Sequence, residues 1–145
     1  MKCELVSSLA DVNRNEWDSL NTSNHPFTSY DFLNSLEMSE SVTAKTGWNP
    51  QHIIIKNNTG NIIGASPNYL KMHSYGEYIF DHAWANAFEN AGGQYYPKLL
   101  SAIPFTPATG PRILIDPKNP DNNKIFELII KTFEVIVQNN NLSSA

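Results

Sequence analysis

The chain has 145 residues, a length that fits one domain of ordinary size. Its 41% hydrophobic and 17% charged residues exclude a disordered chain, and a net charge of −4 argues against general nucleic-acid binding, which needs clustered Lys and Arg. A single cysteine, Cys3, excludes an intramolecular disulfide. Neither a signal peptide nor an apolar run of ~20 residues stands out, so we expect a cytoplasmic protein without a membrane span.

The N-terminal segment predicts a strand followed by a helix. Residues 3–6 have strand character, and Asn13 can cap a helix with Glu16 at its third position. Val12 and Trp17 stand where a hydrophobic staple would clamp the helix start.

A second helix is predicted to begin at Thr28. Asp31 occupies its third position, and Phe27 and Phe32 can form the staple. Residues 37–50 are small and polar, which is typical of a loop.

Two strands, 52–56 and 62–66, flank a turn of hairpin composition. The three consecutive isoleucines of the first strand indicate a strand that is covered on both faces. Pro67 interrupts the pattern, so residues 69–73 are predicted to form an edge strand or a bent continuation.

The C-terminal half predicts two helices and two strands. Asp81 can cap a helix that runs to about Ala91, and strands are expected at 99–105 and 112–116. The helix at about 121–138 has one broad apolar stripe, which suits a helix lying on a sheet. The residues after that helix are either a natural frayed tail or the point at which a longer chain was cut. Because the helix implies a sheet larger than these strands supply, we expect the chain to be a fragment of a longer protein.

Residues 69–112 mix aromatic and ionisable side chains, as the walls of ligand sites do. A packed core is the competing interpretation for each aromatic residue, and a polar network around a helix cap is the competing one for the ionisable residues. Residues 104–111 hold three prolines, and the irregular strand end that they predict could present donors to a carbonyl oxygen or could be only a turn.

Other kinds of site find little support. His73, Glu77, Asp81 and His82 include metal-ligand types, but without the spacing of zinc motifs, so no metal is expected. The chain has no nucleophile elbow of a serine hydrolase, no Walker A loop and no Rossmann fingerprint.

Four segments together resemble the FemAB-like predicted N-acyltransferases of the GNAT superfamily, often described as peptidoglycan biosynthesis or recognition proteins. The segments are HPFTSYDFLNSLE (25–37), TGWNPQHIIIK (46–56), PNYLKMHSYGEYIFDHAWANAF (67–88) and YYPKLLSAIPFTPATGPRIL (95–114). The similarity extends from about Leu5 to Ser144. It implies an α/β (α+β) fold with a mixed, mainly antiparallel GNAT-like sheet flanked by helices. It also implies that residues 1–145 are the N-terminal half-domain of a longer protein, whose C-terminal half would be its partner.

The resemblance implies transfer of an acyl or aminoacyl group to an amine of a small-molecule or peptidoglycan-precursor acceptor. The donor would be an acyl-CoA or an aminoacyl-tRNA, although the usual GNAT pyrophosphate loop is absent from the sequence. Amine attack needs a base and donors for the oxyanion. Residue type and position suggest Glu77 or His73 as the base and Tyr75 or Tyr95 as the proton donor. The expected substrate-binding residues are Trp84, Tyr95, Lys98, Thr106 and Arg112. The alternatives are a module that recognises a glycan or peptide without chemistry, and a half-domain that only scaffolds.

Overall fold

The computed structural model describes residues 1–145 as seven strands and four α-helices. The strands are β1 (Lys2–Val6), β2 (Trp48–Pro50), β3 (His52–Lys56), β4 (Ile62–Ser66), β5 (Asn68–Lys71), β6 (Lys98–Ser101) and β7 (Leu114–Ile115). The helices are α1 (Arg14–Leu20), α2 (Tyr30–Met38), α3 (His82–Asn90) and α4 (Asn122–Asn139). None of the helices combines the length and the apolar character needed to cross a bilayer.

The strands form two sheets in which every pairing is antiparallel. The first sheet has the order β1-β3-β4-β7 and the second the order β2-β5-β6. The predicted class, helices flanking mainly antiparallel strands, is confirmed.

Helices cover both faces of the first sheet. Because side chains alternate along a strand, Ile54 points to one face, where it joins the core that contains Trp17 of α1 and Leu33 of α2. Ile53 and Ile55 point to the other face and pack in the core that α4 supplies. The prediction that this strand is covered on both faces is therefore confirmed, as is the placement of the C-terminal helix on a sheet.

The first helix begins as predicted, whereas the second is capped one residue later. Asn13 Oδ1 accepts a hydrogen bond from the Glu16 amide at 3.1 Å. Ser29, and not Thr28, caps α2 by accepting from the Phe32 amide at 3.4 Å. Thr28 cannot act as the cap because it closes a 3₁₀ turn that begins at Pro26, and its hydroxyl donates to Asn21 instead.

Of the two alternatives predicted after Pro67, the edge strand is wrong, because β5 is the central strand of the second sheet. The bent continuation is confirmed, because β5 follows β4 directly after Pro67 and enters the other sheet. Pro67 lies just before β5, where the chain leaves the first sheet, so its missing N–H removes no hydrogen bond from the β5 ladders. The predicted loop 37–50 also ends in a strand, β2, which pairs with β5.

Candidate active site

A pocket of about 280 Å³ opens beside the second sheet. One wall is the segment 74–81, which lies between β5 and α3, and another is the stretch 100–107, which begins at the end of β6. The lining combines apolar and aromatic side chains with four charged ones. The charged residues are Lys71, Glu77, Asp81 and Lys98.

Strand register explains why two lysines meet at the pocket. Lys71 of β5 lies opposite Trp48 of β2 on one side and opposite Lys98 of β6 on the other. Like charges at directly opposed positions repel each other. Each lysine therefore needs its own carboxylate, and the segment 74–81 supplies both.

Lys71 is nearly fully buried, with 2% of its side chain exposed, and it donates a hydrogen bond to Glu77. Its Nζ also lies 3.8 Å from the centroid of the Trp48 ring, which is cation–π distance. Burial lowers the pKa of Lys71, and the neighbouring Glu77 carboxylate only partly offsets that effect.

Asp81 is the hub of a second polar cluster. Its Oδ1 accepts from the Ser74 hydroxyl at 2.8 Å and from the Tyr96 hydroxyl. Its Oδ2 accepts from the Tyr95 hydroxyl at 2.8 Å and from the Lys98 ammonium. Burial acts to raise the pKa of Asp81, but these four donors, Lys98 foremost, hold it well below its usual range.

Asp81 holds the position before α3 that the sequence predicts for a cap, yet its side chain makes no capping bond. The four donors occupy both carboxylate oxygens, so none is left for the helix amides. The capping prediction is therefore corrected. Asp81 instead ties the segment 74–81 to the Tyr95–Lys98 region.

The stretch after β6 is irregular, as its prolines predict. Phe105 adopts a left-handed backbone with φ of 58°, which is uncommon for a non-glycine residue. Its ring lies 5.3 Å from the Trp48 ring, measured between centroids. Thr106 follows in the pocket wall, and its hydroxyl makes no hydrogen bond within the protein.

The predicted site residues fall into two groups. Glu77, Lys98 and Thr106 line the pocket. Tyr95 stands behind it, bonded to Asp81 and receiving a hydrogen bond from Lys98 at 3.0 Å.

The other four lie outside the pocket lining. The His73 ring covers Gly47, and the His73 Nδ1 accepts from the Tyr75 amide at 3.2 Å. Tyr75 and Trp84 are 74% and 75% exposed. Arg112 donates to backbone carbonyls between Ala108 and Pro111, and burial lowers the pKa of its guanidinium.

Sequence reasoning missed Trp48 and Lys71 as pocket residues. Trp48 falls in a stretch predicted to be a loop, and Lys71 in a strand predicted to be at an edge. Lys71 and Lys98 lie opposite each other on β5 and β6, and this register is the one signal that could have revealed them together. It can be read only when the pairing of these two strands is known. No group of three or more His, Cys, Asp or Glu side chains is placed to hold a metal ion.

Comparison with known proteins supplies one result. No curated protein and no solved structure matches this chain. A model of the FemAB-like family, described as peptidoglycan biosynthesis/recognition, matches residues 8–145 and thereby confirms the resemblance. On that match, the chain belongs to the FemAB-like family of peptidoglycan biosynthesis/recognition proteins.

Proposed function

We propose that the pocket is the acceptor site of an N-acyltransferase that modifies an amine of a peptidoglycan precursor. The observation that carries the proposal is Glu77, a largely buried carboxylate in the pocket wall. One of its oxygens accepts from Lys71, and no protein donor occupies the other. An amine that arrives as an ammonium ion must lose a proton before it can attack, and a free carboxylate oxygen within reach can take it.

In the proposed reaction the amine nitrogen attacks the carbonyl carbon of an activated acyl ester or thioester. A carbon–nitrogen bond forms, and the carbon–oxygen or carbon–sulfur bond to the donor breaks. The ammonium loses two protons in all. The first passes to Glu77 before the attack, and the second leaves the nitrogen through solvent as the tetrahedral intermediate collapses, while solvent protonates the leaving alkoxide or thiolate. The Thr106 hydroxyl, at the irregular strand end, is the donor that we assign to the developing oxyanion.

The sequence leaves Glu77 and His73 as alternatives for the base. We favour Glu77 because it lines the pocket, whereas the His73 ring covers Gly47. We assign Lys98 to the binding of an anionic group of the substrate, because the Arg112 guanidinium already donates hydrogen bonds to backbone carbonyls.

The donor is proposed to be an acyl-CoA or an aminoacyl-tRNA. Both carry an activated acyl group, and each must be tested separately.

Transfer to a lysine-containing precursor peptide is followed by mass spectrometry of the N-acyl product. Replacing Glu77 by Gln is expected to lower kcat/KM by about 10²–10⁴-fold, the range for a general base. His73→Ala and the exposed Glu89→Gln serve as matched controls, each with an expected loss below about tenfold. Product formation by Glu77→Gln at the wild-type rate would overturn the assignment.

A second candidate function is recognition without chemistry. The segment 75–88 exposes several large apolar side chains, which could stack on a glycan or a peptide. The exposed residues are Tyr75, Tyr78, Ile79, Phe80, Trp84 and Phe88. Cell-wall fragments that quench the tryptophan fluorescence of the wild type but not that of Trp84→Phe, together with no acyl transfer from either donor, would favour this function over catalysis.

A further inference from the structure

The pocket is charged yet electrically balanced. Its charged lining residues are two lysines and two carboxylates, namely Lys71, Lys98, Glu77 and Asp81. Each lysine is paired with one carboxylate. A site with equal numbers of both charges does not select a ligand by its net charge alone, but it can select the arrangement of charges within a ligand.

These two pairs differ from most ion pairs of the chain by their burial. The side chains of Lys71 and Glu77 are 2% and 11% exposed, whereas those of Lys124 and Asp121 are 72% and 43% exposed. Taking paired charges out of water costs free energy that their mutual attraction repays only with good geometry, so such pairs are weak evidence for a stabilising role. Two of them at one pocket call for another explanation.

The charged side chains of the pocket differ in how many hydrogen bonds each can still make to a ligand. Asp81 accepts from four donors, which fills the acceptor sites of a carboxylate. Glu77 accepts only from Lys71, so one of its oxygens is free. The Lys98 ammonium donates to Asp81 and Tyr95, which leaves one of its three N–H groups. The pocket therefore offers one free anionic acceptor and one free cationic donor.

We infer that the pocket takes a zwitterionic ligand, whose ammonium group binds the free oxygen of Glu77 and whose carboxylate binds the free N–H of Lys98. The inference rests on the proposed function, in that the ammonium site is the acceptor site. The apolar part of the ligand lies between these ends, against Leu100 and Ile103. A net-neutral ligand preserves the charge balance of the pocket, whereas a simple amine or a simple acid leaves one uncompensated charge in a partly desolvated site.

The test is a calorimetric titration of the full chain with ω-amino acids, from 4-aminobutanoate to 6-aminohexanoate. Each is compared with the n-alkylamine and the n-alkanoate of the same carbon number. At least one zwitterion is expected to bind about tenfold more tightly than both of its singly charged counterparts. Equal affinity for the amine and the zwitterion, or no binding by any compound of the series, overturns the inference.

Variants then assign the two ends. Lys98→Met is expected to abolish the preference for the zwitterion over the amine. Because it leaves Asp81 without its ammonium partner, the double variant Lys98→Met/Asp81→Asn, which restores neutrality, is measured beside it. Glu77→Gln is expected to lower the affinity for the zwitterion to the affinity for the n-alkanoate. Because Glu77→Gln leaves Lys71 buried without its partner, the double variant Lys71→Met/Glu77→Gln, which restores neutrality, is measured beside it. Lys124→Met is the control on the surface and is expected to bind like the wild type. Unchanged zwitterion affinity in Lys98→Met overturns the assigned carboxylate site.

Binding and acyl-transfer measurements together distinguish a failure of this inference from a failure of the proposed function. If the zwitterion binds preferentially but is never acylated by either donor, the proposed function falls and the recognition of a zwitterion stands. If simple amines are acylated with the same kcat/KM as zwitterions, the proposed function stands and this inference falls.

Discussion

Lys71 of β5 lies directly opposite Lys98 of β6, and each ammonium is paired with a separate carboxylate from the segment 74–81. The pairing of β5 with β6 therefore brings two like charges together, and the segment that follows β5 returns to neutralise them. The same segment forms a wall of the pocket. The segment 74–81 thus both neutralises the two lysines and shapes the pocket.

Removal of the Lys71 ammonium should destabilise the fold. Lys71→Met leaves the Glu77 carboxylate in a site with 11% exposure and no counterion, so the free energy of unfolding should fall by ~3–5 kcal/mol. Urea denaturation measures the change. Lys71→Met/Glu77→Leu, which removes both charges, should regain most of it. A single variant as stable as the wild type would show that the pair makes no contribution.

Removal of the Asp81 charge should loosen the wall of the pocket. Asp81→Asn keeps the size of the side chain but weakens its bonds from Lys98 and the tyrosine hydroxyls, and hydrogen bonds to charged groups contribute ~1.5–3 kcal/mol. Amide hydrogen exchange in residues 74–81 should accelerate, while exchange in β3 should not change. Asp31→Asn, at an exposed pair with Arg14, is the matched control. Equal exchange rates in Asp81→Asn and the wild type would contradict the anchoring role.

The buried Glu37–His52 pair makes stability depend on pH. Glu37 Oε1 lies 2.8 Å from His52 Nε2, and its Oε2 accepts from the Leu9 amide and the Ser8 hydroxyl. Burial acts to raise the pKa of Glu37, but these bonds, that from His52 foremost, hold it below its ordinary value of 4.5. The unfolded state therefore binds the proton more readily than the folded state does. The contribution of Glu37 is complete above pH 4.5 and is lost as the pH falls through the lower pKa of the folded state.

Urea denaturation at several values between about pH 3 and pH 7 tests this dependence. Glu37→Gln should be less stable than the wild type at the upper end, and the difference should shrink towards the lower end. Glu40→Gln, an exposed neighbour, is the control and should follow the wild-type curve. A constant difference across the whole range would contradict the assignment.

The Thr106 hydroxyl should matter for the rate and little for binding. If it donates to the oxyanion, Thr106→Val should lower kcat by about 10²–10³-fold, as loss of one oxyanion-hole donor does. KM for the acceptor should change little, because the bond strengthens only in the transition state. Thr22→Val, at an exposed position, is the matched control. A raised KM with unchanged kcat would instead make Thr106 a ground-state binding residue.

The elements of the first sheet could be predicted from the sequence because their signals are local. The run Ile53–Ile55, the Asn13 cap and the apolar stripe of α4 each act within a few residues. The second sheet was harder to predict because its strands are short and one of them contains Pro50. Its existence depends on pairings between residues that are distant in sequence, for which a single sequence gives no direct signal.

The residues of the candidate site also divide into those with a local sequence signal and those whose place depends on strand pairing. Glu77, Lys98 and Thr106 could be selected by residue type within an unusual segment, and all three line the pocket. Lys71 could not, since a lysine in a strand is ordinarily a surface residue, and only its register with Trp48 and Lys98 places it inside. Trp84 was selected because it is aromatic, but it is 75% exposed on α3.

Methyl NMR of the full chain, titrated with a lysine-containing precursor peptide, tests most directly whether this pocket is the ligand site. The account predicts shifts for the methyl groups of Leu100 and Ile103, which line the pocket, and none for Ile125 and Ile129 on the buried face of α4. Shifts that are absent from the pocket methyls and confined to α3, with broadening of the Trp84 indole signal, would contradict the account and favour surface recognition.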